Sequence, residues 1–422
     1  MAPEHGKKVV VLGLRDTGTL SALYLHEKGY RVFASDLSDT EDVRANFLKL
    51  QAAGIESECG RHSFEKILEA DWALISPGIP PTAGVYQKLH AMGKPIYSEI
   101  EVASWFSAAK TVVAITGSCG KTTTATLIAQ MLEASGRKTV LCGNIGNPWI
   151  GELSRITPET TVVLELSSFQ LMHCTSFAPS VGLLLNVYPN HMDWHVDMRE
   201  YAGAKLNLFR AMKSSGVMIC RQTDEKQLFP DFKTAARRVY FDQRQASDPN
   251  EAALLCAADA LGCVPEVAQK VFRDFCGIEH RLEKFAEWNG ISFINDSKST
   301  TPASLLWALR KYPGGRVVLI AGGHAKSKDF GDLVPEVRQK VKCAVLMGEA
   351  TEMIRESWAG AARIVEAGSL DEACAAAIGE AAPGDTVLLS TGCASFDMFK
   401  NYQERGRLFK EKIKERLGSR VG

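Results

Sequence analysis

The sequence predicts an α/β protein of three domains on parallel sheets, and three observations carry that prediction. The chain has 422 residues, more than the roughly 250–300 at which a single hydrophobic core stops growing. Short β-rich runs alternate with amphipathic or Ala-rich stretches almost throughout, as βαβ units do. A glycine-bearing strand-to-helix turn occurs at 13–18 and another at 117–123, as if a second nucleotide-type unit began there.

Each unit can be read in chain order. Strand-like runs at 9–12, 31–35 and 73–76 form the first unit, which closes with a helical stretch at 99–107. Runs at 111–115, 139–142, 161–165 and 181–185 form the second, closed by helical stretches at 250–261 and 265–275. Two short runs, 283–288 and 291–295, open the third, which continues through 317–321, 343–347 and 386–390 to a charged helix at 402–417. The expected domains are therefore 1–107, 108–279 and 280–422.

Composition excludes several classes of function. Hydrophobic residues make up 45% and charged residues 23%, the balance of a globular protein with sizeable cores. Lys plus Arg and Asp plus Glu each number 49, so no bulk field favours nucleic acid or an anionic membrane, and neither partner is expected. The N-terminal residues lack a signal peptide's apolar stretch, and no run approaches a membrane span. The eleven cysteines are scattered without a CxxC pair, which argues against a disulfide framework or a structural zinc site. A reducing cytoplasm is the expected compartment.

The strongest motif is Gly117-Ser118-Cys119-Gly120-Lys121-Thr122-Thr123, set between an apolar strand and a helical run. Glycines let backbone N–H groups approach phosphate oxygens, and the helix N-terminus adds a favourable dipole. Lys121 would neutralise the outer phosphates, and Thr122 offers a hydroxyl to Mg²⁺. Ile115 stands at the first glycine position of the general GxxxxGK[ST] pattern. Gly13-Leu14-Arg15-Asp16-Thr17-Gly18, with Asp36 after the next strand, is similar to a dinucleotide fingerprint. Arg15 replaces the second glycine, which weakens an NAD reading. A nucleotide group or a plain tight turn both fit.

Further polar groups lie at strand ends, where open α/β sheets place ligands. Glu165, in Glu165-Leu166-Ser167-Ser168-Phe169-Gln170, fits a Mg²⁺ ligand or a helix cap equally well. His191 and His195 have HxxxH spacing, but Met192 takes the place of a zinc protease's glutamate. Lys205 falls on a helix and by itself reads as an exposed lysine. Asn295-Asp296-Ser297-Lys298-Ser299-Thr300 and Ala321-Gly322-Gly323-His324-Ala325-Lys326 concentrate polar and basic groups after two later strands.

Read together, these segments resemble the Mur ligases of peptidoglycan synthesis, and most closely their D-glutamate-adding branch. TGSCGKTT, GNIGNP, ELSSFQL, NHMDWH, YAGAKLNLF, GIEHRLE, NDSKST, GGHAKSKDF and CASFDMFKNYQERG occur in the family's order. The resemblance implies a Rossmann-like N-terminal domain for the UDP end of the substrate. A P-loop ATPase-like central domain would take ATP, and a Rossmann-like C-terminal domain the amino acid. NDSKST and CASFDMF favour D-glutamate, and the absence of a DNPR string disfavours the diaminopimelate- or lysine-adding branch. The implied substrates are UDP-N-acetylmuramoyl-L-alanine, ATP and D-glutamate, joined through an acyl phosphate by a monomeric enzyme.

The residue roles come with the resemblance. Gly117 through Thr123 would cradle ATP, with Lys121 on the transferring phosphate and Thr122 and Glu165 serving Mg²⁺. His191 and a carbamylated Lys205 would support a second Mg²⁺. Asn144, Ser167 and Gln170 would meet the sugar phosphates, and Asp16, Thr17 and Asp36 the uridine. Asn250, Arg281 and Asp296 would meet adenine, phosphate and ribose. Lys298, Thr300, Lys326, Ser395 and Phe396 would surround D-glutamate. Three departures stand out: Cys119 where the family loop has Asn, Leu37-Ser38 where other members carry polar and basic uracil contacts, and no His-Asn ahead of Asn250.

Overall fold

The computed structural model describes residues 6–189, 194–246, 248–275, 277–325 and 330–418. Three sheets follow one another along the chain. The first contains β1 (Lys8–Leu12), β2 (Arg31–Asp36), β3 (Glu56–Cys59), β4 (Trp72–Ile75) and β5 (Ile96–Ser98), in the order β3-β2-β1-β4-β5 and wholly parallel. The second contains β6 (Thr111–Thr116), β7 (Thr139–Gly143), β8 (Thr161–Glu165), β9 (Val181–Leu184), β10 (Val217–Cys220) and β11 (Arg237–Tyr240), ordered β11-β10-β9-β6-β8-β7 and also parallel. Strands β6 and β8 are buried from end to end or nearly so, as sheets covered on both faces require.

The third sheet departs from the expected uniform parallel pattern. It contains β12 (Glu283–Trp288), β13 (Ile291–Asn295), β14 (Val317–Gly322), β15 (Val341–Met347), β16 (Arg363–Ala367) and β17 (Thr386–Leu389), ordered β12-β13-β17-β14-β15-β16. Its first two strands form an antiparallel hairpin. Asn289 and Gly290 join them with φ of +48° and +74°, the two positive dihedrals that a tight two-residue turn matching strand twist demands.

Five strands fell outside the sequence expectation: β3, β5, β10, β11 and β16. Four of them are sheet edges, where most residues are exposed or half-exposed and no apolar run forms. The fifth, Val-Met-Ile-Cys, is fully buried but only four residues long, and so short an apolar run has no period to read.

The chain divides into two compact units, Met1–Phe275 and Cys276–Gly422. Within the first, one apolar cluster runs from Val9 and Leu74 through Trp149 and Leu164 to Met218, across both sheets. The helix Glu99–Phe106 stitches them further. Glu101 accepts hydrogen bonds from the N–H groups of Thr175, Ser176 and Phe177, each at 3.0 Å. Its neighbour Glu99 accepts one from Ile150 N–H at 2.6 Å, and burial raises its pKa to about 7.

Candidate active site

The phosphate loop leaves β6 at the centre of the second sheet, between β8 and β9. Gly120 has φ +81°, which calls for glycine, and a Cβ there would crowd Asn250 Oδ1 at 3.0 Å. The helix Lys121–Ala134 follows. Lys121 Nζ folds back onto the loop, donating to Gly117 O at 2.9 Å and Ser118 O at 3.3 Å. Ser118 Oγ donates to Tyr188 O at 2.9 Å, accepts from Tyr188 N–H at 2.8 Å and lies 3.0 Å from the Tyr201 hydroxyl. Thr122 is buried and Cys119 exposed. Asn250 reaches the loop's helix through Oδ1, 3.3 Å from Thr124 Oγ1.

Glu165 ends β8 beside this loop and is 2% exposed. One oxygen accepts from Asn144 Nδ2 at 2.7 Å. The other, Oε2, is enclosed without a hydrogen-bond partner among the described residues, and such a carboxylate oxygen suits a hard cation. With the hydroxyl of Thr122 it offers oxygen donors of the kind Mg²⁺ takes, so the residues present fit that ion. Ser167 and Gln170 cap the short helix Ser168–Leu171, Gln170 Oε1 accepting from Ser167 N–H and Oγ at 3.0 Å each. His191 lies outside the described residues.

Lys205 is no surface lysine. It sits on the helix Met198–Arg210, 1% exposed, and Nζ donates to Gly117 O at 3.0 Å while lying 4.5 Å from the centre of the Tyr201 ring. Two lysines thus converge on one carbonyl. Burial, aided by Lys121, lowers the pKa of Lys205 to about 6.

In the first sheet the strand order reverses between β1 and β4, where an open sheet forms its ligand crevice. A cleft of about 340 Å³ opens nearby, lined by Asp36, Leu37, Ser38, His62, Phe64 and Ile79 among others. A Cβ at Gly18 would meet Gly13 O at 1.7 Å, so this glycine serves close packing of turn and helix. Asp36 accepts from Leu14 N–H at 2.7 Å and Ser38 N–H at 2.8 Å, fixing the turn. Asp16 and Thr17 begin the helix Asp16–Glu27. His62, which the sequence reading passed over, lies 2.7 Å from Ser35 Oγ, and burial lowers its pKa.

In the second compact unit the loops after β13 and β17 meet over a buried arginine. Arg405, 0% exposed, donates from Nε to Ser297 Oγ at 2.9 Å, from Nη2 to Ser297 O at 2.8 Å, and from Nη1 to Cys393 O at 3.2 Å and Ala394 O at 3.3 Å. Asp296 accepts from Leu282 N–H at 3.1 Å and Ser390 Oγ at 2.7 Å, and burial raises its pKa to about 6. Arg281 is flanked by His280 and Leu282 at φ +64° and +46°, conformations that side chains adopt only where surroundings enforce them. Ser395 is buried, Lys298 and Thr300 are half-buried, and Phe396 is 67% exposed. Lys326 lies outside the described residues. Glu279, His280 and Glu283 have metal-site spacing, but Lys410 Nζ lies 2.7 Å from both glutamates, which makes this an ion-pair cluster.

The strand order around β6, the loop and its lysines define a phosphate-loop nucleotide-binding protein of the α/β class. Three family models match in succession: the Mur ligase MurD-like N-terminal domain over residues 7–98, the Mur ligase middle domain over 115–256, and the Mur ligase glutamate ligase domain over 280–393. The chain belongs to the Mur ligase family. Proteins named UDP-N-acetylmuramoylalanine--D-glutamate ligase from Chloroherpeton thalassium and Chlorobium limicola are 35% and 37% identical to it, each covering 97% of this chain and 98% of its own length. Among solved structures, Thermotoga maritima MurF ligase in complex with ADP matches with TM-score 0.57 and 14% identity over 91% of this chain and 95% of its own. Thermotoga maritima UDP-N-acetylmuramate-alanine ligase MurC matches with TM-score 0.54 and 18% identity over 97% and 100%. These two likenesses concern the fold.

Proposed function

We propose that this chain joins D-glutamate to UDP-N-acetylmuramoyl-L-alanine with cleavage of ATP to ADP and phosphate, in the cytoplasmic synthesis of a peptidoglycan precursor. The observation that carries the reading is the run of matches through all three segments, extending end to end in relatives whose names specify this reaction. The substrate's terminal carboxylate oxygen attacks the γ-phosphorus, an O–P bond forms, and the bond to the bridging oxygen breaks to release ADP. The D-glutamate nitrogen then attacks the acyl carbon and gives up a proton, and phosphate departs from the tetrahedral intermediate.

Both steps bring anions together, so the residues assigned to them are cations and fixed donors. Lys121 and the loop from Gly117 to Thr123 cradle the triphosphate, Asn250 the adenine end, and Arg281 and Asp296 a phosphate and the ribose. Thr122 and Glu165, joined by His191 and Lys205, hold Mg²⁺, which when bound neutralises charge between carboxylate and phosphate. Asp16, Thr17 and Asp36 meet uridine, and Asn144, Ser167, Gln170 and His191 the sugar phosphates and nearby groups. Lys298, Thr300, Lys326, Ser395 and Phe396 receive D-glutamate.

A lysine whose pKa falls to about 6 is neutral near pH 7. Lys205 Nζ is then able to attack CO₂, forming an N–C bond and losing a proton, and the resulting carbamate is an anion suited to a cation. Intact-protein mass measurement under bicarbonate, with partial rescue of Lys205→Ala by small carboxylates, tests this. Failure of both ends it. For the reaction itself, phosphate release is expected only with ATP, UDP-N-acetylmuramoyl-L-alanine and D-glutamate together; release indifferent to the last two overturns the assignment.

A further inference from the structure

Strands β6 and β9 run side by side with Thr116 opposite Leu184, so two residues further on Ser118 meets Asn186. The Asn186 carboxamide closes on the loop with both of its polar atoms. Oδ1 accepts from the N–H groups of Ser118 at 3.0 Å and Cys119 at 2.9 Å, and Nδ2 donates to Cys119 O at 3.2 Å. The main chain adds a bond from Ser118 N–H to Asn186 O at 3.0 Å. Both main-chain polar groups of Cys119 are thus held by one neutral side chain. The next N–H groups, of Gly120, Lys121 and Thr122, lie at the cap and first turn of the helix Lys121–Ala134, where N–H groups point along the axis toward an anion at the helix start.

We propose that Asn186 is a positioning residue of the phosphate loop: it clasps Cys119 so that the N–H groups of residues 120–122 converge on one phosphate. Three of its contacts grip main chain, and the Cys119 thiol adds a longer one to Oδ1 at 3.5 Å, so the main chain carries most of the hold at 119. Steric demand points the same way, because a Cβ on Gly117 would lie 3.1 Å from Leu185 Cβ and 3.4 Å from Asn186 N. The loop is built to lie against this segment.

The inference rests on the nucleotide reading of the loop, and the two fail separately. ADP titration into the full chain comes first: if the wild type does not bind ADP, the nucleotide reading falls. If it binds, Asn186→Ala is expected to weaken ADP about tenfold, the worth of two or three lost hydrogen bonds. The KM for ATP rises in parallel, while the KM for D-glutamate and the nucleotide-free melting temperature stay near wild type. Should Asn186→Ala fail to fold, Asn186→Ser, whose short hydroxyl cannot span both contacts, carries the same expectation. In either variant, hydrogen exchange across residues 117–123 is expected to accelerate without nucleotide. Unchanged ADP affinity overturns the proposal, and so does tighter binding, which would make the carboxamide a competitor for phosphate.

Discussion

The phosphate loop and the loops of the C-terminal unit are fixed by different kinds of contact. Around residues 117–121 most of the fastening is neutral, through the Asn186 amide, the Tyr188 main chain and hydroxyls of Ser118 and Tyr201, while Lys121 and Lys205 meet at Gly117 O. Lys205 is the buried basic group there, and burial drives it toward the uncharged amine. Around residues 296–299 and 393–394 the fastening is charged, through Arg405, whose pKa burial lowers only to about 10. A triphosphate with its metal brings its own large charges, so a seat for it works best when built from dipoles and adjustable cations. Loops that must hold small polar groups in register gain from a cation whose several donors leave few alternative arrangements.

The largest effect should come from Arg405. Replacing it with Met would leave the carbonyls of Ser297, Cys393 and Ala394 without these donors inside the unit, at a cost of about 1–3 kcal/mol for each acceptor left unsatisfied. Arg405→Lys keeps the charge but loses the fork, and should fall between. Chemical denaturation of both variants checks the order. Wild-type stability in Arg405→Met would erase the contrast between the regions.

Asp296 should come next, as a pH effect. Its folded pKa is raised from 3.8 to about 6 by burial, so between those values the folded state binds more protons than the unfolded chain. Stability from this group is present below pH 4 and is lost as pH rises through 6, about 3 kcal/mol in all. Asp296→Asn keeps an acceptor for Leu282 N–H and gains a donor toward Ser390, so it should flatten this slope between pH 4 and 7. Parallel slopes in the two proteins would show that Asp296 titrates normally.

How much of this was legible in the sequence depends on whether a residue's role is local. The phosphate loop was, because strand, glycines, lysine and helix are contiguous. Lys205 and Arg405 left a readable signal that composition hides. Tyr201, Lys205 and Phe209 recur at i, i+4, and so do Arg405, Phe409, Ile413 and Leu417, all buried, so each basic residue lies on the apolar stripe of its helix. A basic residue in that position is either buried with partners or misassigned. Asn186 and His62 left no such mark. Their roles depend on which strands become neighbours, and the register of β6 against β9 is written nowhere in the segment around residue 186.

The smallest expected effect sharpens the comparison most. If the loop is held chiefly through main chain by a neutral clasp, the thiol's 3.5 Å contact with Asn186 Oδ1 adds little, and Cys119→Ser, which keeps a donor there, should change stability by no more than about 0.5 kcal/mol. The same thiol reports on the loop's occupancy. Cys119 is the exposed cysteine among the described residues, Cys59 being half-buried and the rest buried. Burial raises the thiol pKa to about 12 at Cys220, Cys374 and Cys393, which leaves them almost no thiolate at neutral pH. Iodoacetamide should therefore modify Cys119 before other described cysteines, as peptide mapping would read. ATP with Mg²⁺ should slow that modification, because a phosphate held by residues 120–122 stands next to the sulfur. Cys119→Ser should retain ATP binding while losing the fast-reacting site. If nucleotide leaves the alkylation rate unchanged while binding is independently measured, the phosphates do not sit on this loop as drawn, and the neutral fastening described here serves some other purpose.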